Sequence, residues 1–390
     1  MSKYKAPRAE QIAVGIGLCA AIGGTAYCVH KYLLAPTSTN TLFANMDLQH
    51  QADDVPDIPG AKRSAYSEEL LDSYEGATTP YEVFLKGVEI SGDKQYLGTR
   101  INGSYSWITY NEVQERATAV GSGILELGYQ PTCETFVGIY AANKVEWILT
   151  DIACQAYSMI SVPLYDSLGA DACTYIINHA EISMIVCDGN KLDVLLEKAD
   201  QCPQLKHVIK IGDVSDEDVQ NAGKFGITIR SFKDLEEMGR NNRKEVSPGK
   251  PDDVYTVCFT SGTTGTPKGA MITNRNVLSN VAALHLHLKR NGSPMVSSDI
   301  AISYLPLPHM YERISQAVIR SVGASYGFFR GDIKLLLDDI KLLRPTYFPS
   351  VPRLLNRLYD KITAGVESSG GLKKWLFYKA FYSKKADLEK

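Results

Sequence analysis

Between residues 110 and 211 the chain alternates two hydrophobic periods, and this restricts the possible fold more than any other feature. Val113, Ala117, Val120, Ile124 and Leu127 recur at helical spacing and predict an amphipathic helix over 110–127, ended by Gly128. Residues 135–140 then read as a strand, 145–157 as a helix, 160–163 as a strand, 170–179 as a helix and 183–187 as a strand. A helical stretch over 190–199 and a strand over 207–211 continue the alternation. Elements in this order predict an α/β fold, with a parallel sheet covered by helices. Ligands of such sheets sit beyond the carboxyl ends of the strands. Neither a repeat of solenoid period nor a low-complexity tract is present.

A further apolar, β-prone segment covers 254–259, and it opens into a run of small and hydroxyl residues. The run is Thr260, Ser261, Gly262, Thr263, Thr264, Gly265, Thr266 and Pro267, followed by Lys268 and Gly269. Glycine lets backbone approach a polyanion, the hydroxyls donate hydrogen bonds, and Lys268 brings a mobile positive charge. That chemistry suits a triphosphate. The glycine spacing is not that of a Walker loop. By composition alone, a polar surface loop would account for the same residues.

As an ordered string, Phe259 to Gly269 is similar to the signature loop of the adenylate-forming superfamily, which includes acyl-CoA synthetases, luciferases and peptide-synthetase adenylation domains. Its continuation over 270–276 resembles that of long-chain acyl-CoA synthetases. So do residues 137–147, 157–166, 304–313 and 344–357, and the resemblance runs from about Gly60 to the C-terminus. It implies the large N-terminal domain of an adenylate-forming enzyme, covering residues 60–390. Nothing in the chain matches the later Tyr-Gly-x-Thr-Glu element, the ribose-binding aspartate, the hinge or the small C-terminal domain of that family. The large domain is therefore expected to be incomplete, and residues 373–390 read as a helix from mid-domain.

The implied activity is a two-step ligation of a long-chain fatty acid, using ATP and Mg²⁺ and then CoA, through an acyl-adenylate. By the same resemblance, Thr260, Ser261, Gly262, Thr263, Thr264, Gly265 and Lys268 bind ATP, and Thr260 is a hydroxyl ligand for magnesium. Lys268 and His309 are the implied catalytic residues, and His309, Tyr311 and Glu312 border the acyl and adenylate pocket. Each has a plainer reading. His309, after two prolines, could be a hydrogen-bonded structural histidine on a fixed loop, and Glu312 with Arg313 a local charge pair. Residues 143–147 read as packing, with Trp147 a core aromatic at a helix start. Two alternatives to the ligase remain: an adenylate-former for another carboxylate, and a non-catalytic membrane-bound acyl or nucleotide binder.

At 390 residues and 44% hydrophobic, the chain can bury a large core. A net charge of −3 supplies no basic field, so nucleic acid is not an expected partner. The eight cysteines show no C-x-x-C pair or zinc spacing and read as reduced and structural. His285 and His287 would point to different faces of a helix and make a poor metal pair.

Residues 12–29 carry no charge and would span about 27 Å as a helix. An uncleaved anchor over 1–36 is the expectation, against a cleaved signal or a buried helix, with a polar linker over 37–59. The basic residues before the stretch would by themselves place the domain outside the cytosol. ATP and CoA are cytosolic, so the domain is expected to face the cytosol from the endoplasmic reticulum or mitochondrial outer membrane. Asn102-Gly103-Ser104 has the form of a glycosylation sequon.

Overall fold

The computed structural model describes residues 50–65, 67, 69–165, 171–260 and 266–388. The expected anchor over 12–29 lies outside these. No helix among the described residues is long and apolar enough to cross a membrane. The chain divides into two compact units, one of which is Leu48–Pro349.

That unit begins with a short antiparallel pair, β1 (Ala52–Asp54) and β2 (Lys62–Ser64). The first of these strands falls in the stretch expected to be irregular linker, where its backbone finds ladder partners in β2. Helix α1 (Pro80–Ser91) follows, with Thr79 and Glu82 forming a capping box and proline in the first turn. Next come β3 (Gln95–Ile101) and β4 (Ser104–Thr109), an antiparallel hairpin. Its turn is Asn102-Gly103, with φ of 49° and 80°. Two adjacent positive φ values suit a tight hairpin turn whose twist matches its strands.

Helix α2 (Tyr110–Glu126) is started by a second capping box, Thr109 with Glu112. Beyond it the expected alternation is found. Strands β5 (Phe136–Tyr140), β6 (Ile160–Pro163), β7 (Met184–Asp188), β8 (His207–Ile211), β9 (Thr228–Ser231) and β10 (Val254–Thr260) pair in parallel. Between them run α3 (Val145–Ala156), α4 (Ala172–His179), α5 (Leu192–Leu196), α6 (Asp216–Gly223) and α7 (Phe232–Asn241). The α5 helix is shorter than the expected 190–199 and is flanked by single 3-10 turns. Strand β11 (Lys268–Thr273) joins β10 antiparallel at the edge, giving seven strands in the order β11-β10-β6-β5-β7-β8-β9.

Helix α8 (Asn274–Arg290) leads to β12 (Ile300–Ser303), α9 (Met310–Ser321), β13 (Ser325–Phe328) and α10 (Leu336–Leu343). With the early hairpin these strands build a second, four-stranded sheet in the order β12-β13-β3-β4. Alternate residues of the larger sheet serve two cores. On β7, Met184 and Val186 pack with Trp147 and Ile152 on one face, while Ile185 and Cys187 pack with Ile176 and Leu192 on the other. Both faces are buried, as a parallel sheet requires.

Helices α2 and α7 touch almost backbone to backbone. A Cβ on Gly239 would stand 1.8 Å from the Ala119 carbonyl oxygen, and one on Gly123 would stand 2.3 Å from that of Leu235. Glycine is required at both positions for the crossing to exist. Cys154, Cys173, Cys187, Cys202 and Cys258 are buried thiols outside any disulfide, and Cys133 is a half-buried one, in keeping with a reduced, structural role.

The described part of the second unit is a pair of helices, α11 (Pro352–Ser369) and α12 (Gly371–Leu388), joined by an ion pair between Lys374 and Glu367. The expected helix over 373–390 is thus present up to 388. On this helix Trp375 is 55% exposed, while Leu376 and Phe377 are half-buried.

Candidate active site

The signature run begins where β10 ends. Thr260 is the last residue of that strand and Lys268 the first of β11, and the two are direct cross-strand partners. Residues 261–267 therefore join a paired hairpin stem at the carboxyl end of the parallel sheet. Ser261, Gly262, Thr263, Thr264 and Gly265 lie outside the described residues. Thr260 and Lys268 are both exposed. The stem is closely packed below them: a Cβ on Gly269 would meet Val257 Cγ1 at 2.8 Å and the Phe259 ring at 3.1 Å.

His309 stands at the N-terminus of α9, exposed, with its backbone N–H donating to the Pro306 carbonyl at 3.0 Å. Its ring does not cap the helix. Instead it meets the Tyr165 ring edge-on at 5.2 Å between centroids, and the Tyr165 hydroxyl donates to the Phe259 carbonyl at 2.7 Å. Tyr165 therefore bridges His309 to the residue before Thr260. The structure thus links His309, through Tyr165, to the end of β10 from which the signature run departs, a link the sequence did not reveal.

The approach to His309 is held by Asn143. Its amide nitrogen donates to Ser303 Oγ at 2.9 Å and to the Leu305 carbonyl at 2.7 Å, and its oxygen accepts from the Leu307 N–H at 3.2 Å. One amide thus fixes the Pro306–Pro308 turn from both sides. Nearby, Tyr304 stacks on Phe348 at 5.3 Å and meets Phe329 edge-on at 6.5 Å, forming an apolar wall. Trp147 is fully buried, as expected of a core aromatic.

Tyr311 is 48% exposed, but its neighbour Glu312 is fully buried. The Glu312 carboxyl is thus turned away from solvent. One residue further along α9 turns the side chain about 100° into the interior. There its carboxyl accepts from Ser303 Oγ at 2.6 Å and from the Gln316 amide at 3.4 Å. Burial pushes its pKa up to about 8, against the downward pull of those two bonds.

The suggested local Glu312–Arg313 charge pair is not formed; Arg313 pairs with Asp151. Arg313 faces β6 and β10, donating to Asp151 Oδ1 at 2.5 Å, Ser161 Oγ at 2.9 Å and Thr256 Oγ1 at 2.7 Å. Its guanidinium also lies over the Tyr255 ring at 4.4 Å. Asp151 was missed, although a signal existed. It sits among Trp147, Ile148, Leu149, Ile152 and Ala153 on α3, and a carboxylate in so apolar a helix needs a buried cation.

Among the described residues no group of three His, Cys, Asp or Glu could hold a metal ion. His285 is engaged otherwise, bonded to Ser321 Oγ at 2.6 Å and stacked on Tyr74 at 4.2 Å.

A doubly covered parallel sheet, ending in a Ser/Thr/Gly loop with a lysine at its stem and a histidine beside it, defines a nucleotide-handling α/β protein. Residues 88–386 match the family model of AMP-binding enzymes, and the chain belongs to that family. It is 46% identical over 332 residues to long-chain-fatty-acid–CoA ligase 5 of Rattus norvegicus, covering 83% of this chain and 48% of the relative. With long-chain-fatty-acid–CoA ligase 1 of Cavia porcellus it is 42% identical, covering 96% of this chain and 53% of the relative. The chain thus spans about half the length of these curated relatives.

Among solved structures, the adenylation domain of a carboxylate reductase from Mycobacterium chelonae superposes with a TM-score of 0.67 at 18% identity. That match covers 98% of this chain and 57% of the other. A long-chain-fatty-acid–CoA ligase from Archaeoglobus fulgidus gives 0.63 at 19% identity, covering 77% and 57%. At these identities the likeness establishes the fold, which is that of the adenylate-forming enzymes.

Proposed function

We propose that the chain carries the triphosphate-gripping part of a long-chain fatty-acid:CoA ligase. What supports this is the Thr260–Lys268 stem at the carboxyl end of the sheet with His309 beside it, in a chain more than 40% identical to ligases of that name. In the first step a fatty carboxylate oxygen attacks the α-phosphorus of ATP, and the bond to pyrophosphate breaks. In the second, the CoA sulfur attacks the acyl carbon and AMP leaves.

The residues divide the work. Lys268, on the stem, neutralises charge at the β/γ end of the triphosphate, and the hydroxyls of Thr260, Ser261, Thr263 and Thr264 with the Gly262 and Gly265 amides donate to its oxygens. His309 and Tyr311 border the reacting carboxylate, in a position fixed by Tyr165 and Asn143. Thr260 fits magnesium only as a single hydroxyl ligand to an ion carried on the nucleotide phosphates, where the metal shields their charge. Residues 12–29 hold the enzyme to the endoplasmic reticulum or mitochondrial outer membrane, with the α/β unit in the cytosol alongside ATP and CoA.

The deciding experiment is fatty-acid-dependent ATP–pyrophosphate exchange on the ligase containing this chain. Lys268→Ala is expected to slow exchange by roughly 100-fold or more, as loss of a preorganised charge contact does. An unchanged rate would refute the assignment of the loop.

A further inference from the structure

Between α3, α9 and β10 lies a small cavity of about 10 Å³, walled by Trp147, Asp151, Tyr255, Arg313, Gln316 and Arg320 among others. A space of this size holds one water-sized occupant and nothing polyatomic. Three of its wall residues carry buried donors with no partner: Trp147 Nε1, Arg313 Nε and Arg320 Nε. These residues are 0%, 5% and 5% exposed. Unmet buried donors are rare, and three around one cavity ask for a shared acceptor.

The walls also say what kind of acceptor. No wall acceptor is among the unpaired buried atoms. The wall carboxylate, Asp151, is fully subscribed: Oδ1 accepts from Arg313 Nη2 and Ser161 Oγ, and Oδ2 from Gln155 Nε2 and the Tyr255 hydroxyl. Four donors use its lone pairs, so the two protons of a water would find no carboxylate oxygen free. A water also accepts only two bonds. Charge points the same way, since two guanidiniums face one carboxylate. Nearby Glu312, held protonated by burial near neutral pH, does not offset them.

We infer that this cavity binds a single monatomic anion of the halide class, held by the N–H groups of Trp147, Arg313 and Arg320. Such an ion brings acceptor capacity and negative charge without protons. It joins α3 to α9, the helix headed by His309, and both to β10 through Arg313 and Thr256. The bound ion therefore stiffens the frame beneath the candidate active site.

The test compares thermal unfolding of the full chain in chloride, bromide and gluconate at equal ionic strength. Chloride and bromide are expected to raise the midpoint saturably, by the order of 1–3 °C, while gluconate is inert. Trp147→Phe keeps the ring packing and removes one donor, and should move the halide titration to several-fold higher concentration. Crystals grown in bromide should give an anomalous peak in the cavity. Equal midpoints in chloride and gluconate, or density there without bromide anomalous signal, would overturn the proposal in favour of water. The wild-type measurements decide the matter even if the variant does not fold.

Discussion

Glu312 holds a proton that an exposed glutamate would have lost. Its pKa in the fold, about 8, lies above the ordinary 4.5, so between those values unfolding releases a proton and stability falls as pH rises. His285 acts in the opposite sense. Burial lowers its pKa from 6.5 to about 4, so across that range the unfolded chain takes up a proton and stability rises with pH. The two effects oppose one another at acidic pH, and of the two it is Glu312 that acts from about 6.5 to 8. Glu312→Gln keeps the Ser303 bond and cannot ionise. It is expected to flatten stability across that window and to gain on the order of a few kcal/mol at pH 8. Urea unfolding at a series of pH values measures this, and an unchanged slope in the variant would exclude Glu312 as its source.

Among the elements, the α2–α7 crossing is the most sensitive joint, because its two glycines leave no room for a methyl group. Gly239→Ala drives a carbon into the Ala119 carbonyl and should cost roughly 1–3 kcal/mol or more, as overpacking does. Gly223→Ala, at the end of α6 with nothing within 4 Å, should be neutral or slightly stabilising through helix propensity. Equal effects in chemical denaturation would contradict the packing account. The elements themselves were legible where one residue type repeated at one period. The helix over 110–127 and the strands from 135 to 211 were read to within about two residues, because both faces of the sheet are buried. The pairing that makes the smaller sheet was not seen. Its hairpin signal, Asn102-Gly103 between β-prone runs, was present but was read as part of a sequon, when two positive φ values are what that pair provides. Strand β11 escaped for a different reason. Its residues Lys268 to Met271 are exposed on the sheet edge and carry no buried face to pattern them. The site was legible as a list of loop residues. The links between elements, Tyr165 to Phe259 and Arg313 to Asp151, join residues 94 and 162 positions apart, and no local pattern encodes them.

For the molecule as a whole, residues 12–29 are the uninterrupted apolar stretch of spanning length in the sequence. Deleting residues 1–36 is expected to release the protein from membranes and leave the α/β unit folded, since that unit begins at Leu48. Carbonate extraction with circular dichroism tests both halves of the statement. A deleted form that stays membrane-integral would require another attachment. Finally, pairing Thr260 with Lys268 has a consequence for affinity. A segment whose two ends are already clasped explores far fewer shapes than a free tail, so the polyanion grip proposed for it would forfeit less conformational entropy. Under the proposed function, part of the ordering that nucleotide capture demands is completed when the chain folds, before any ligand arrives.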